Sequence, residues 1–222
     1  MLGMPEPLPT ITLSGAHVRL EPLSLGHVDA LAAAAGGARE TYALTFVPDG
    51  AAAMRGYVEE ALAAHAAGSA LPFATVDVTT GRVVGSTRFG WMEHWPWPRA
   101  KPDDAPVGAP DAAEIGWTWL APDVQRTSIN TEQKLLMLTH AFEAWRVRRI
   151  SFITDARNAR SRAALERIGA RFEGLRRAHF PAPDGTIRDS ATFSILLAEW
   201  PDTKARLERL SQRRASVAPA LP

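Results

Sequence analysis

Apolar positions along this chain recur at two periods, two and roughly 3.6, and the switches between them mark out the elements. The alternation in His17-Val18-Arg19-Leu20, with Pro22 close behind, predicts a short strand with one covered face. Residues 25–35 are rich in Ala and Leu and stop at Gly36-Gly37, as a helix does. A second helix is predicted over 51–67. There Met54, Tyr57, Val58, Ala61, Leu62 and His65 recur at three- and four-residue steps until Gly68 closes the run. Two β-type runs, 73–78 and 83–89, flank Thr79-Thr80-Gly81-Arg82 and predict a hairpin.

Residues 92–111 break the pattern. Pro96, Pro98, Pro102, Pro106 and Pro110 fall there with Trp95 and Trp97, so a long loop stiffened by proline is expected. An apolar strand over 114–120 follows, with Glu114 as its charged exception. After Ala121-Pro122 a polar segment, Gln125 to Asn130, leads into a helical pattern free of Gly and Pro. Leu135, Leu138, Phe142 and Trp145 form its core side, while Glu132, Lys134 and Glu143 read as a solvated face.

A strand over 149–154, a helix over 159–168 stopped by Gly169, and a strand over 171–180 come next. The turn Pro183-Asp184-Gly185, a strand over 187–197 and a basic helix over 199–214 complete the order. A hairpin followed by strand–helix–strand–helix–strand–strand implies an α/β (α+β) chain with one mixed sheet and helices on both faces. Residues 1–14 are expected to form a flexible arm, 15–200 the folded domain, and 201–222 a C-terminal helix and tail.

Composition narrows the function more than the fold. A length of 222 residues with 46% hydrophobic and 22% charged positions suits one large globular domain. The net charge of +1 supplies no general drive toward nucleic acid or membrane surfaces. Cysteine is absent, which excludes a disulfide scaffold, a thiolate metal site and a cysteine nucleophile, and agrees with a cytoplasmic location. The first ten residues hold three prolines and no apolar core of a leader, and no run approaches transmembrane length.

The stretch from Trp117 to Trp145 carries the first chemical signal. Strand, polar turn and helix together aim backbone N–H groups and the positive end of a helix dipole at an anion, such as the phosphate of a cofactor. The plain alternative is a capped core helix, with Asn130 or Thr131 as the cap. Glu114, a carboxylate among apolar neighbours, should have a raised pKa and could serve as a general base. It could equally pair with an arginine such as Arg88. His94 and His179 are the other candidates for a base, whereas His65 reads as a core-edge residue.

Several of these pieces resemble the GNAT superfamily of acyl-CoA-dependent N-acyltransferases, in its RimJ/RimL-type branch. Glu114-Ile115-Gly116-Trp117 is similar to the family's central strand. Gln125 to Asn130 stands at the pyrophosphate loop, Asn158-x-x-Ser161 with Ala164-Leu165 and Gly169 resembles the segment beside the pantetheine arm, and Arg171-Phe172-Glu173 the strand after it. The likeness extends over roughly 16–200 and includes Val18-Arg19-Leu20-Glu21-Pro22-Leu23 and Val83-Val84-Gly85. It departs from the family at Ser128 and Asn130, where the loop usually has small glycine-type residues.

The resemblance implies a mostly antiparallel sheet of about seven strands and acetyl-CoA or coenzyme A as co-substrate, without a metal. Trp119, Leu120, Ala121, Gln125, Arg126, Thr127, Ser128, Ile129, Asn130, Thr131, Asn158 and Ser161 would hold the cofactor. Arg126 and Arg162 would meet its phosphates, and a backbone N–H near Leu120 would polarise the thioester carbonyl. Glu114 and Ser161 would be the catalytic pair, base and donor to the leaving sulfur, with Trp95, Trp97 and Trp117 beside the acceptor. The acceptor would be a peptide or small-molecule amine, and a homodimer is compatible with this reading. A CoA-binding protein without turnover, or an interaction protein that keeps only the fold, are the alternatives that Ser128 and Asn130 raise.

Overall fold

A computed structural model describes residues 7–99, 101 and 105–215, so the first six residues of the expected arm and the expected tail after Ala215 lie outside the described residues. Among the described residues, eight strands form one sheet in the order β1-β2-β3-β4-β5-β6-β8-β7. They are β1 (Leu13–Ser14), β2 (Val18–Pro22), β3 (Leu71–Asp77), β4 (Val83–Glu93), β5 (Ala112–Leu120), β6 (Arg149–Asp155), β7 (Arg171–Pro181) and β8 (Ile187–Leu196). The α-helices are α1 (Val28–Ala35), α2 (Gly50–Ala66), α3 (Ile129–Thr139), α4 (Ala159–Ile168) and α5 (Trp200–Ala215). Neighbouring strands run antiparallel except β5 and β6, which are parallel because α3 and a π turn over His140–Ala144 cross between them.

The expected mostly antiparallel sheet of about seven strands is borne out, and the strand without a sequence signal is β1. Leu13–Ser14 is too brief to show any alternation in sequence, and its anchor is tertiary. Glu132 on α3 accepts the amides of Ala16, His17 and Val18 at 2.8, 2.7 and 2.8 Å, pinning the turn between β1 and β2. Glu132 and Lys134 are therefore buried and do not belong to a solvated face; of the expected three only Glu143 is exposed, bonded to Lys204 and Trp200. The described end of the expected arm is also tied down. Leu8 packs against the core and its carbonyl meets His65 Nε2 on α2 at 2.8 Å.

Two layers cover the sheet. On one face α1 packs against β4 and α2 against β3; on the other α3 packs against β1, β2 and α5, and α4 against β6 and β7. Strand alternation sorts the side chains accordingly. Thr75, Thr87 and Phe89 meet α3 and its π turn through Gln133, Met137 and Trp145, whereas Ser86 and Arg88 meet Tyr57 of α2. The core runs continuously through both layers, from Leu20, Phe73 and Phe89 to Phe142, Phe152, Phe193 and Trp200.

Candidate active site

Parallel pairing between β5 and β6 covers only Ala112–Glu114 against Arg149–Ser151. Beyond it β5 continues to Leu120 beside β4 alone, and β6 continues to Asp155 beside β8 alone. The sheet opens there into a wedge whose two walls present backbone without a strand partner. The Ala121 amide goes to Val84 O at 2.7 Å on the β4 side, so alternation turns the Leu120 amide toward the wedge.

A bulge shapes the β5 wall. Between the pairs Arg88–Gly116 and Ser86–Trp119, both Trp117 and Thr118 oppose Thr87, and Trp117 takes φ 50°. The bulge sends these two side chains to different faces. The Trp117 ring, 38% exposed, lies 4.5 Å from the Arg88 guanidinium, which also sits 5.1 Å from the Tyr57 ring. Gly90 makes room for it, since a Cβ there would come within 2.6 Å of the indole. Thr118 points the other way and accepts Lys134 Nζ at 2.8 Å, with Thr87 Oγ1 at 2.7 Å from its hydroxyl.

Glu114 stands where the strands part. It is 7% exposed, on the Arg88 and Trp117 face, and a Cβ on Gly116 would lie 2.8 Å from its Oε1. The carboxylate thus folds back over Gly116. Burial pushes its pKa up to about 7, against the opposing pull of Arg188 and then Arg176. The alternative pairing with Arg88 does not occur among the described residues; Arg88 pairs with Glu60, at 4.0 Å. His94 is exposed, and His179 is held below the ordinary imidazole value by burial and by Arg176 and Arg188.

The far end of the wedge is laced together. Leu120 O accepts Tyr42 OH and Gln125 Nε2, each at 3.0 Å. Arg160 of α4 reaches across to Gln125 Oε1 at 3.0 Å and Thr41 O at 2.8 Å, linking the two walls. Trp119, Leu120 and Ala121 are buried, so their side chains belong to the core. The Trp119 Nε1 and Asn130 Oδ1 atoms are buried without a hydrogen-bond partner.

After a 3-10 turn over Pro122–Val124, Gln125 to Thr131 bring the N-terminus of α3 to this end. The glycine question at this loop has a local answer. Ser128 sits at φ −68°, which any residue adopts, and Asn130 is already helical. The positive φ, 67°, falls on Arg126. Thr127 Oγ1 donates to Val124 O at 2.7 Å and accepts the Ile129 amide at 3.3 Å, closing the turn.

On the other wall Asn158 caps α4, its Oδ1 accepting the Ser161 amide at 3.0 Å. The Ser161 hydroxyl makes no hydrogen bond among the described residues. Arg162 is turned away from the α3 loop, donating to Ala156 O at 3.3 Å with its guanidinium 5.5 Å from the Phe172 ring.

Trp95 and Trp97 are not drawn to Trp117. Asp111 accepts the Trp95 amide at 2.8 Å and the Trp97 indole at 2.9 Å, and Lys101 pairs with it at 3.1 Å. These contacts rivet the Pro-rich loop to the start of β5. Sequence reasoning missed Lys134, Tyr42 and Arg160. Lys134 left a signal, since positions 134, 138 and 141 share one helical face with Leu138 and Ala141.

A split sheet with a helix N-terminus at its mouth and a buried carboxylate at its fork defines a class, and the comparisons agree. Residues 17–171 match the acetyltransferase (GNAT) domain, so the chain belongs to the GNAT acetyltransferase family. A Bacillus subtilis (strain 168) protein, YdaF, named provisionally as a ribosomal N-acetyltransferase, is 34% identical over 92 residues, 41% of this chain and 49% of YdaF. The match thus spans about half the length of that curated relative. A GCN5-related N-acetyltransferase from Brucella melitensis superposes with TM-score 0.76 and 28% identity over 92% of this chain and 87% of its own. Mycobacterium smegmatis RimJ, solved with CoA-disulfide, matches in fold with TM-score 0.71 and 23% identity over 93% of this chain and 94% of its own.

Proposed function

We propose that this protein transfers the acetyl group of acetyl-CoA to a primary amine by direct attack in a ternary complex. The observation that carries the reading is the wedge, with Glu114 at its fork and the α3 N-terminus at its mouth. Acetyl-CoA, when bound, supplies the activated acyl carbonyl and a thiolate leaving group. The first amides of α3 lack intrahelical acceptors and would hold its pyrophosphate with Gln125, Arg126, Thr127, Ser128, Ile129, Asn130 and Thr131. The unpartnered Asn130 Oδ1 and Trp119 Nε1 fit a polar ligand at this end.

Each residue then has one task. The Leu120 amide polarises the carbonyl from the open edge of β5. Glu114, with a pKa of about 7, would take a proton from the acceptor ammonium, directly or through one water, and so free the lone pair that attacks. As the new C–N bond forms and the C–S bond breaks, the nitrogen gives up its second proton, and this proton would reach the departing thiolate through the Ser161 hydroxyl on the opposite wall, which donates one proton and accepts the other. Asn158 fixes the start of α4, and Trp117 walls the acceptor side; Trp95 and Trp97 act on the acceptor only through the loop they anchor. The name of YdaF supports a protein amine among the acceptors. The absence of cysteine is in keeping with a cytoplasmic location.

The alternative is a CoA-binding protein without turnover, motivated by Ser128 and Asn130. The ordinary backbone at Ser128 weighs against it, because that position takes no positive φ that would require glycine. Calorimetric titration with acetyl-CoA, followed by an amine panel, tests the reading. Micromolar binding, about −8 kcal/mol, with acetylation of an amine is expected. Glu114→Gln should lower turnover by about 10²-fold or more, and abolish its rise with pH through neutrality, while the acetyl-CoA dissociation constant holds. Binding without turnover on any amine would favour the alternative.

A further inference from the structure

The face of the wedge that carries Glu114 continues onto β6, β8 and β7. Register places Glu114 beside Ser151, Ser151 beside Ser194, Ile153 beside Thr192, Asp155 beside Ser190, and Ser190 beside Arg176. Alternation puts Arg188, Ser190, Thr192 and Ser194 of β8 on that same face. The row is polar yet largely covered, and its bonding is incomplete. Arg188 Nε, Ser190 Oγ and Thr192 Oγ1 are buried with no hydrogen-bond partner, and Ser190 is fully buried. Buried donors without partners are costly unless a ligand or water completes them.

The charges on this face are also unbalanced. Neighbouring arginines are neutralised: Arg157 pairs with Asp155 and Asp184, and Arg149 with Glu173. Asp189 accepts the Ala178 amide. Among the described residues, Arg176 and Arg188 form no ion pair, although both act electrostatically on Glu114 and Asp155 acts on Arg188. The Phe180 ring, 5.7 Å from the Arg188 guanidinium, fixes that side chain from one side. One end of the face therefore offers a carboxylate, the other two guanidinium groups that form no ion pair among the described residues, with hydroxyls between them.

We propose that the acceptor is an amine bearing a carboxylate a few bonds away, with the amine at Glu114 and the carboxylate on Arg188 and Arg176 beside Ser190 and Thr192. This deepens the acetyltransferase reading and rests on it. Arginine presents a fork of donors that matches a carboxylate, and a hydroxyl row adds donors at the same site. The carboxylate can come from a free amino acid or from the acidic first residue of a peptide. Both present the same chemistry.

The test compares acceptors that differ only in that charge. Free amino acids are assayed against their carboxamides, and peptides opening with Asp or Glu against those opening with Asn or Gln. Turnover (kcat/KM) and equilibrium binding to the CoA-loaded protein are both read. The carboxylate member of a pair should be favoured roughly tenfold or more in both. Arg188→Gln and Arg176→Gln should erase the preference and leave acetyl-CoA binding unchanged, with Arg188→Lys retaining part of it. Preference among free amino acids alone, or among peptides alone, identifies the source. Equal use of both members, or a preference that survives both arginine variants, overturns the inference and leaves the acetyltransferase reading in place. Selective binding of carboxylates with no turnover on any amine would do the reverse.

Discussion

At the scale of single residues, two buried groups beside β5 titrate near neutrality for the same reason. Glu114 and Lys134 lie on opposite faces of β5 and both lose hydration, so the acid rises to about 7 and the base falls to about 7. Lys134, 6% exposed, has Thr118 as its hydrogen-bond partner and no carboxylate partner among the described residues. The sign of its effect on stability follows from linkage. Between pH 7 and the unfolded value of 10.5 the unfolded chain binds more protons at this group, so its contribution to stability improves as pH rises through that window. Below about pH 7 the folded protein carries the full cost of the buried charge. Lys134→Met should raise the melting temperature most at neutral and mildly acidic pH, and the gain should shrink toward pH 10. Thermal unfolding across pH 6–10 measures this, and a gain that grows with pH would refute it.

At the scale of elements, α4 shows how one side chain serves fold and site together. Asn158 Oδ1 satisfies the Ser161 amide at the helix start, while the remaining NH2 of Asn158 is available to a ligand. Two substitutions separate the roles. Asn158→Ala should cost about 1 kcal/mol of stability through the lost cap and should also weaken CoA binding. Asn158→Asp keeps an acceptor for the cap, so stability should hold while CoA binding still weakens. Denaturant unfolding together with calorimetric titration reads both. Unchanged CoA affinity in each variant would confine Asn158 to capping. The α3 loop teaches a related lesson: the residue that needs left-handed backbone there is Arg126, one to which the family motif assigns no glycine.

For the whole molecule, Glu132 joins the edge of the sheet to the helix whose N-terminus faces the wedge. It accepts three amides, two from the turn before β2 and the buried one of Val18 at its start, so removing it leaves these donors without their acceptor. Glu132→Ala should destabilise the fold by about 3 kcal/mol, and Glu132→Gln by less, because one amide oxygen still accepts. Urea unfolding checks this; a loss under 1 kcal/mol would mean that water replaces the carboxylate.

Much of this architecture was legible from the chain alone. The two periods of apolar residues located the long strands and the helices, because covering one face of a strand or helix imposes a spacing that neighbours in sequence must obey. Glu114-Ile115-Gly116-Trp117 and Asn158-x-x-Ser161, singled out by their resemblance to the family, fall on β5 and at the start of α4. Contacts between distant segments decided everything else. β1 exists because a carboxylate more than a hundred residues away holds its turn, and no local pattern encodes that. Lys134 is buried because α3 turns that face onto the β5 bulge, and Trp95 and Trp97 anchor a loop because Asp111 meets them. The wedge belongs to the same category. Where two parallel strands stop pairing depends on bulge, twist and the helices packed behind them, and these are properties of the assembled sheet.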